Sequence, residues 1–388
     1  MEKIKLGDLC KPSAGQIKED EDTLIDYIDI SSVDNETKKI TGYQTIIFGE
    51  SPSRARKVVK RGNILVSTVR PNLNAVALLE EDTPNVTVAS TGFCVLESKD
   101  DVDPRFIFNF CKSKPFIDDM VSQATGASYP AVSDKIVRSA LVPKYSYQEQ
   151  QSISSVLDKL TGIIDSRRTE LLELDNLIKA RFVEMFGDTV LNPLGWEEHR
   201  LEEFIDFLTS GSRGWSKYFT DQGNELFITI KNVKNNHIIL DELQYVNAPK
   251  DKEAERTRVK AGDLLISITA DLGRTGVVDE RIAAKGAYIN QHLSLIRLKQ
   301  ECVNPLYVSY YLETTGGKLQ FESKNQNGVK AGLNFDAVKS LKILVPPKQK
   351  QDEYIDFVNQ VDKSKVAVQK ALDETQLLFD SLMQEYFG

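Results

Sequence analysis

The chain has 388 residues, 41% hydrophobic and 27% charged, the composition of a globular protein with two or three domains. No apolar run approaches the roughly 18 residues that would cross a bilayer, and "MEKIKLGDLC" has no apolar stretch behind its lysines, so neither a membrane span nor a signal peptide is expected and the cytoplasm is. The net charge of −8 argues at first against nucleic acid, but the distribution of charge matters more than its sum.

In chain order, "KEDEDTLIDYID" is strongly acidic, whereas Ser51 to Leu79 holds Arg54, Arg56, Lys57, Lys60, Arg61 and Arg70 and no acid. Within that stretch "NILVSTV" reads as a strand, and "DPRFIFNFCKS" further on reads as a short helix with a Pro-containing start. After "LVP" at 141–143 the pattern becomes helical for about forty residues, with Ile153, Val156, Leu160, Ile163, Leu171, Leu174, Ile178 and Met185 spaced by threes and fours around a gap at Arg167. The second half repeats the order. "DLLISIT" reads as a strand, "NPLYVSYYLET" as a short helix, and Tyr354, Phe357, Val361, Leu372, Phe379, Leu382 and Tyr386 form a more interrupted stripe. Helices of forty residues reach ~60 Å, too long for one small domain to cover. Such stripes pair as a coiled coil; the alternative is two helices that each lie on their own domain.

The halves are copies. "VVKRGNILVSTV" at 58–69 returns as "RVKAGDLLISIT" at 258–269, and "YIDISSV" at 27–33 as "FITIKNV" at 227–233. "FVEMFG" at 182–187 is answered by "LMQEYFG" at 382–388. A period near 200 is far too long for a solenoid, so each unit is an α+β domain followed by a helix. Directly after the best-kept strand the copies diverge, "RPNLNAVALL" against "ADLGRTGVVD".

Catalytic motifs are missing. "TGGKL" at 315–319 lacks the first glycine and the hydroxyl of a phosphate loop, and Asn192-Pro193 is not followed by the second proline and aromatic of an adenine-methylating site. Cys10, Cys94, Cys111 and Cys302 have no C-x-x-C spacing, and His199, His237 and His292 lie far apart, so no metal and no cofactor is expected. Glu97-Ser98-Lys99, with Asp82 upstream, and Glu322-Ser323-Lys324 leave open a magnesium-dependent nuclease of the E-x-K type, although the two copies fall at non-equivalent places in the repeat.

The junction "MFGDTVLNPLGWEEHRLEEF" at 185–204 resembles the linker in specificity subunits of type I restriction-modification enzymes: F-G-D ends a helix and an N-P-x-G-W turn follows. "LVPKYSYQEQ" at 141–150 and the G-[DN]-[IL]-L strands are similar to that family too, whereas "PPKQKQDEY" departs from its Q-E-Q form. The resemblance covers the whole chain. It implies two mixed α/β target-recognition domains, at 1–145 and 188–346, separated by two long antiparallel helices, at 146–187 and 347–388, in a pseudo-two-fold arrangement. It also implies a non-catalytic subunit that reads a bipartite asymmetric site in double-stranded DNA. The helices would dock two methyltransferase subunits and, through the complex, a motor-nuclease subunit, with Gln148, Glu149, Gln150, Arg167 and Lys179 at the partner surface. A scaffold of the same architecture, indifferent to sequence, is the remaining alternative.

DNA readers need Lys and Arg for phosphates and a few Arg, Asn or Gln side chains for base edges. Loops poor in acids supply them. In the first half these are Arg54, Arg56 and Lys57, then Arg70, Asn72 and Asn74, then Ser128 and Tyr129. In the second half they are Arg213, Trp215 and Lys217, then Lys231, Asn232 and Lys234, then Arg274, Asn290, Gln291, Asn327 and Lys330.

Overall fold

The computed structural model describes residues 2–12, 15–18, 20–240, 244–324 and 332–388. Asn327 and Lys330 lie outside the described residues. Helix and strand are mixed, and the chain divides into two units, Met1–Glu170 with Val368–Gly388, and Leu171–Ala367. The first long helix, Tyr147–Phe186, begins in the first unit and ends in the second; the other, Lys348–Phe387, does the reverse.

In the first unit Leu24–Ile28 pairs in parallel with Val86–Ser90, flanked by Gln44–Ile47 and Ala55–Val58. Ile64–Ser67 lies antiparallel between Val76–Leu78 and Phe93–Leu96. The second unit keeps both pairings in register. Tyr27 faces Val88 as Phe227 faces Tyr288, and Ser67 faces Phe93 as Ser267 faces Leu293.

The recurring G-[DN]-[IL]-L sequence has a local cause. Gly62 and Gly262 take φ of +87° and +82°, which a side chain would oppose. The next residue, Asn63 or Asp263, accepts a hydrogen bond from the main-chain N–H of Lys60 or Lys260 and closes the turn into the buried strand. Short helices start alike as well: Asp103 and Asn304 each accept from an N–H in the first turn, with Pro104 or Pro305 next in the chain.

Each unit's core includes the start of one long helix and the end of the other. In the first unit, Ile153 and Leu157 join Met383 and Phe387, and the Phe387 ring lies 5.4 Å from Phe106. In the second, Tyr354 and Val358 join Phe182 and Phe186, and the Phe186 ring lies 4.9 Å from Tyr307. Within the second unit the two helices run antiparallel: the Tyr354 hydroxyl donates to Ile178 O, and Lys365 pairs with Asp175 at 2.6 Å.

The helix stripe buries Ile153 and Ile178 as expected but shifts phase between them. Leu157 and Ile164 are buried, while Val156 and Ile163 are 37% and 45% exposed. The sequence carries adjacent apolar pairs at both places, and packing against the domain takes the second member of each.

Candidate nucleic-acid interface

The loop after the best-kept strand is where the units part. Val66 faces Val76 in the first unit and Ile266 faces Thr275 in the second, so the second loop is one residue shorter. Both loops nevertheless turn at the same point, with Arg70 at φ 49° and Ala270 at φ 60°. Non-glycine residues adopt this left-handed conformation at a cost that surrounding structure must offset. The turn belongs to the framework and its side chain does not.

In the first unit the basic run is largely paired in space. Arg54 donates to the Tyr27 hydroxyl and forms an ion pair with Asp29 at 2.6 Å. Arg56 donates to Ala55 O and lies over the Phe48 ring. Lys57 is turned inward, donating to Phe93 O and pairing with Asp134, which makes it a strut and corrects its expected place on the DNA surface. Lys60 pairs with Glu97. Asn74 is also corrected: it is buried, and its amide donates to Cys111 O. Arg70, Asn72, Ser128 and Tyr129 are exposed, and Arg70 and Tyr129 meet, the guanidinium 4.9 Å from the ring centre.

The second unit brings three loops together. Ser212 bridges to Asn290, Thr269 hydrogen-bonds His292, and Gln291 contacts the other His292 nitrogen. A Cβ at Gly211 would collide with the main-chain oxygens of Ile289 and Asn290, so only glycine allows this approach. Arg256 donates to Thr209 Oγ1, Ser210 O and Ser212 Oγ, fixing the segment that presents exposed Arg213. Sequence reasoning missed Arg256 because it sits in an ordinary charged helix, Lys252–Thr257. Lys217 is exposed and lies over Tyr218. Arg274 is half-buried and ion-paired to Asp271.

Two further expectations are corrected here. Trp215 is 4% exposed, stacked on Phe227 and packed on Tyr288, so it anchors its loop and no base reaches it. Asn232 is buried, its side chain closing a turn by accepting from Thr229. Lys231 and Lys234 are exposed, but Val233–Lys234 forms the opposite edge of the six-stranded sheet from Ile205–Ser210, away from Arg213. The structure thus joins Asn290 and Gln291 to the Arg213 loop and leaves Lys234 apart.

Of the expected partner residues, Gln148, Glu149 and Lys179 are exposed, and Arg167 is half-buried and paired with Glu170. Gln150 is 4% exposed and cannot meet a partner; it accepts from Asp103 N and donates to Tyr145 O. Gln351 does the same with Asn304 N and Pro346 O, so the variant "KQKQ" entry preserves the same lock. The junction is a set of hydrogen bonds: Asp188 accepts from the N–H groups of Val190 and Leu191, Asn192 bonds the main chain of Trp196, and the Trp196 indole donates to Phe186 O.

The E-x-K segments do not assemble a site. Burial alone would raise the Glu97 carboxyl, but Lys60 and Lys11 outweigh it and hold it below its ordinary value. Asp82 accepts from Arg61 N, and Glu322-Ser323-Lys324 lies in the helix Thr315–Lys324. Among the described residues no cluster of His, Cys, Asp or Glu is placed to hold a metal ion, and no helix is long and apolar enough to cross a membrane.

The chain is similar to the EcoBI specificity subunit of Escherichia coli, 20% identical over 324 residues, with 76% of this chain and 67% of that protein covered. It is 22% identical over 315 residues to the EcoKI specificity subunit of E. coli strain K12, with the same shares covered. The type I restriction-modification S subunit from M. genitalium has the same fold, with a TM-score of 0.62 at 14% identity over 100% of this chain and 96% of that one. A chain from a structure on assembly and conformational transition of the type I R-M system gives a TM-score of 0.62 at 24% identity, covering 100% and 97%. The family described as Type I restriction modification DNA specificity domain matches twice, over residues 1–176 and 193–375. With both halves of the duplication matched, the chain belongs to the type I restriction-modification DNA specificity family.

Proposed function

We propose that this chain is the non-catalytic subunit that gives a cytoplasmic type I restriction-modification complex its DNA sequence specificity, through a bipartite asymmetric target. Residues 1–145 and 188–346 are the two readers, and 146–187 and 347–388 are the spacer helices. The observation that carries this reading is the repeated strand register with a rewritten loop: Ser67 and Ser267 sit in the same frame, while Arg70 and Ala270 follow at the same left-handed turn. Two like frames with unlike loops suit two unlike half-sites. Exposed Gln148, Glu149 and Lys179 and half-buried Arg167 belong to the surface that docks two methyltransferase subunits, and through them the motor-nuclease. No cofactor is needed by the chain itself.

The test is to express the chain with its methyltransferase in cells without other modification systems and to map modified bases by long-read sequencing. The expected result is one motif of two unlike halves with a fixed gap. Methylation without a motif would make the chain a sequence-indifferent scaffold.

A further inference from the structure

We infer that Arg70, stacked on Tyr129, reads a guanine in the half-site of the first domain, an inference that rests on the function proposed above. Three observations converge. The first is rigidity at the base of the pair. Arg70 N–H donates to Pro130 O at 2.7 Å, Val69 bridges to Ala131, and Val132 N–H donates to Thr68 O, so the two segments bearing the ring and the guanidinium are hydrogen-bonded to each other. The left-handed backbone at Arg70, which Ala270 shares, is held in this way, so the frame fixes the point from which the side chain leaves.

The second observation is availability. Arg54, Lys57 and Lys60 each have a carboxylate partner, whereas Arg70 has none among the described residues. Tyr129 is 69% exposed with its ring centre 4.9 Å from the Arg70 guanidinium carbon, and the guanidinium N–H groups have no hydrogen-bond acceptor among the described residues, so its donors stay free. A planar cation stiffened on a ring loses little freedom when it makes a paired hydrogen bond, and in the major groove guanine O6 and N7 are the acceptors that match.

The third observation separates a base edge from a phosphate. Arg70 and Tyr129 line a cleft of about 670 Å³ together with Asp34, Asn35 and Glu36. Carboxylates repel a phosphate track, but an acid beside an arginine suits a G·C pair, whose cytosine amino group donates. The second unit has Ala270 at the equivalent turn, so the two half-sites should differ at this position.

The test uses the whole chain with its methyltransferase and the base-modification map. Arg70→Ala should relax one G·C pair in one half of the motif, lowering the preference for guanine there by on the order of ten- to a hundredfold. The other half and the gap should be unchanged, which also reports a folded complex. Arg70→Lys, which keeps charge but not the fork, should restore little, and Tyr129→Leu should lose part of the preference. An unaltered motif with Arg70→Ala or with Arg70→Lys would overturn the inference, as would relaxation of an A·T pair. So would uniformly weaker binding to all sequences with a salt slope reduced by ~0.9, the mark of a phosphate contact. A wild-type complex without any bipartite motif would instead remove the functional reading beneath it.

Discussion

Arg213 and Arg274 look alike as loop arginines, but they face different competition. Arg213 is exposed and has no carboxylate partner among the described residues, whereas Arg274 must first leave Asp271. Arg213→Ala should therefore cost ~1–3 kcal/mol of base discrimination at one half-site, and Arg274→Ala less, as read from competition binding with single-base variants of the motif. Asp26 tests the frame behind the loops. It is fully buried and accepts from Thr45 Oγ1 and from both the main-chain and side-chain N–H groups of Asn85. Burial opposes its ionisation, but these hydrogen bonds win and hold its pKa below 3.8. A lowered carboxyl adds stability that is complete above its unfolded value and disappears as pH falls through the folded one. Asp26→Asn, which swaps acceptor for donor against Asn85, should cost ~1–3 kcal/mol at neutral pH, and the gap to wild type should narrow below pH ~4. An equal gap at pH 7 and pH 3 in urea melts would show that the charge is not what stabilises the site. Composition made the loops legible but not the direction of their side chains. Lys57, Asn74, Trp215 and Asn232 have the right chemistry for DNA, yet strand pleat and turn closure point them inward.

The long helices show what periodicity can and cannot carry. Their existence and length were legible because no proline interrupts forty residues of threes and fours. Their buried phase was not, since Val156-Leu157 and Ile163-Ile164 offer two stripes and only the domain surface chooses. Leu157→Ala, at a fully buried position, should destabilise the chain by ~2–5 kcal/mol, and Leu160→Ala, half-buried and outside the core clusters, by clearly less. Equal melting shifts would restore the phase read from sequence. Gln150 in the Q-E-Q segment was legible as special and misread in kind. Gln150 and Gln351 each tie a long helix to the start of a short helix in the same unit. Replacing either with Ala leaves a part-buried N–H unpaired, at ~1–3 kcal/mol or less, and methyltransferase capture should fall only as far as folding does.

At the scale of the molecule the repeat exchanges its parts. The core of the first unit takes Met383 and Phe387 from the second helix, and the core of the second takes Phe182 and Phe186, their counterparts one repeat earlier. A fragment of residues 1–187 would hold the Phe106, Phe110, Ile153 and Leu157 surface without the ring that fills it. It would also expose Phe182 and Phe186 without their domain. A second copy supplies what each lacks, so the fragment should form a two-fold dimer in which Phe186 takes the place of Phe387. The weak point is Phe182 in the place of Met383, an overpacking of ~1–3 kcal/mol, and Phe182→Met should tighten the dimer. Two identical readers about a two-fold axis need an inverted-repeat target, so with its methyltransferase the fragment should modify the first half-site joined by a gap to its own inverse. Light scattering at micromolar concentration and the methylation map decide together. A monomer that Phe182→Met does not convert, or an asymmetric motif, would mean that the two units do not accept each other's helix ends.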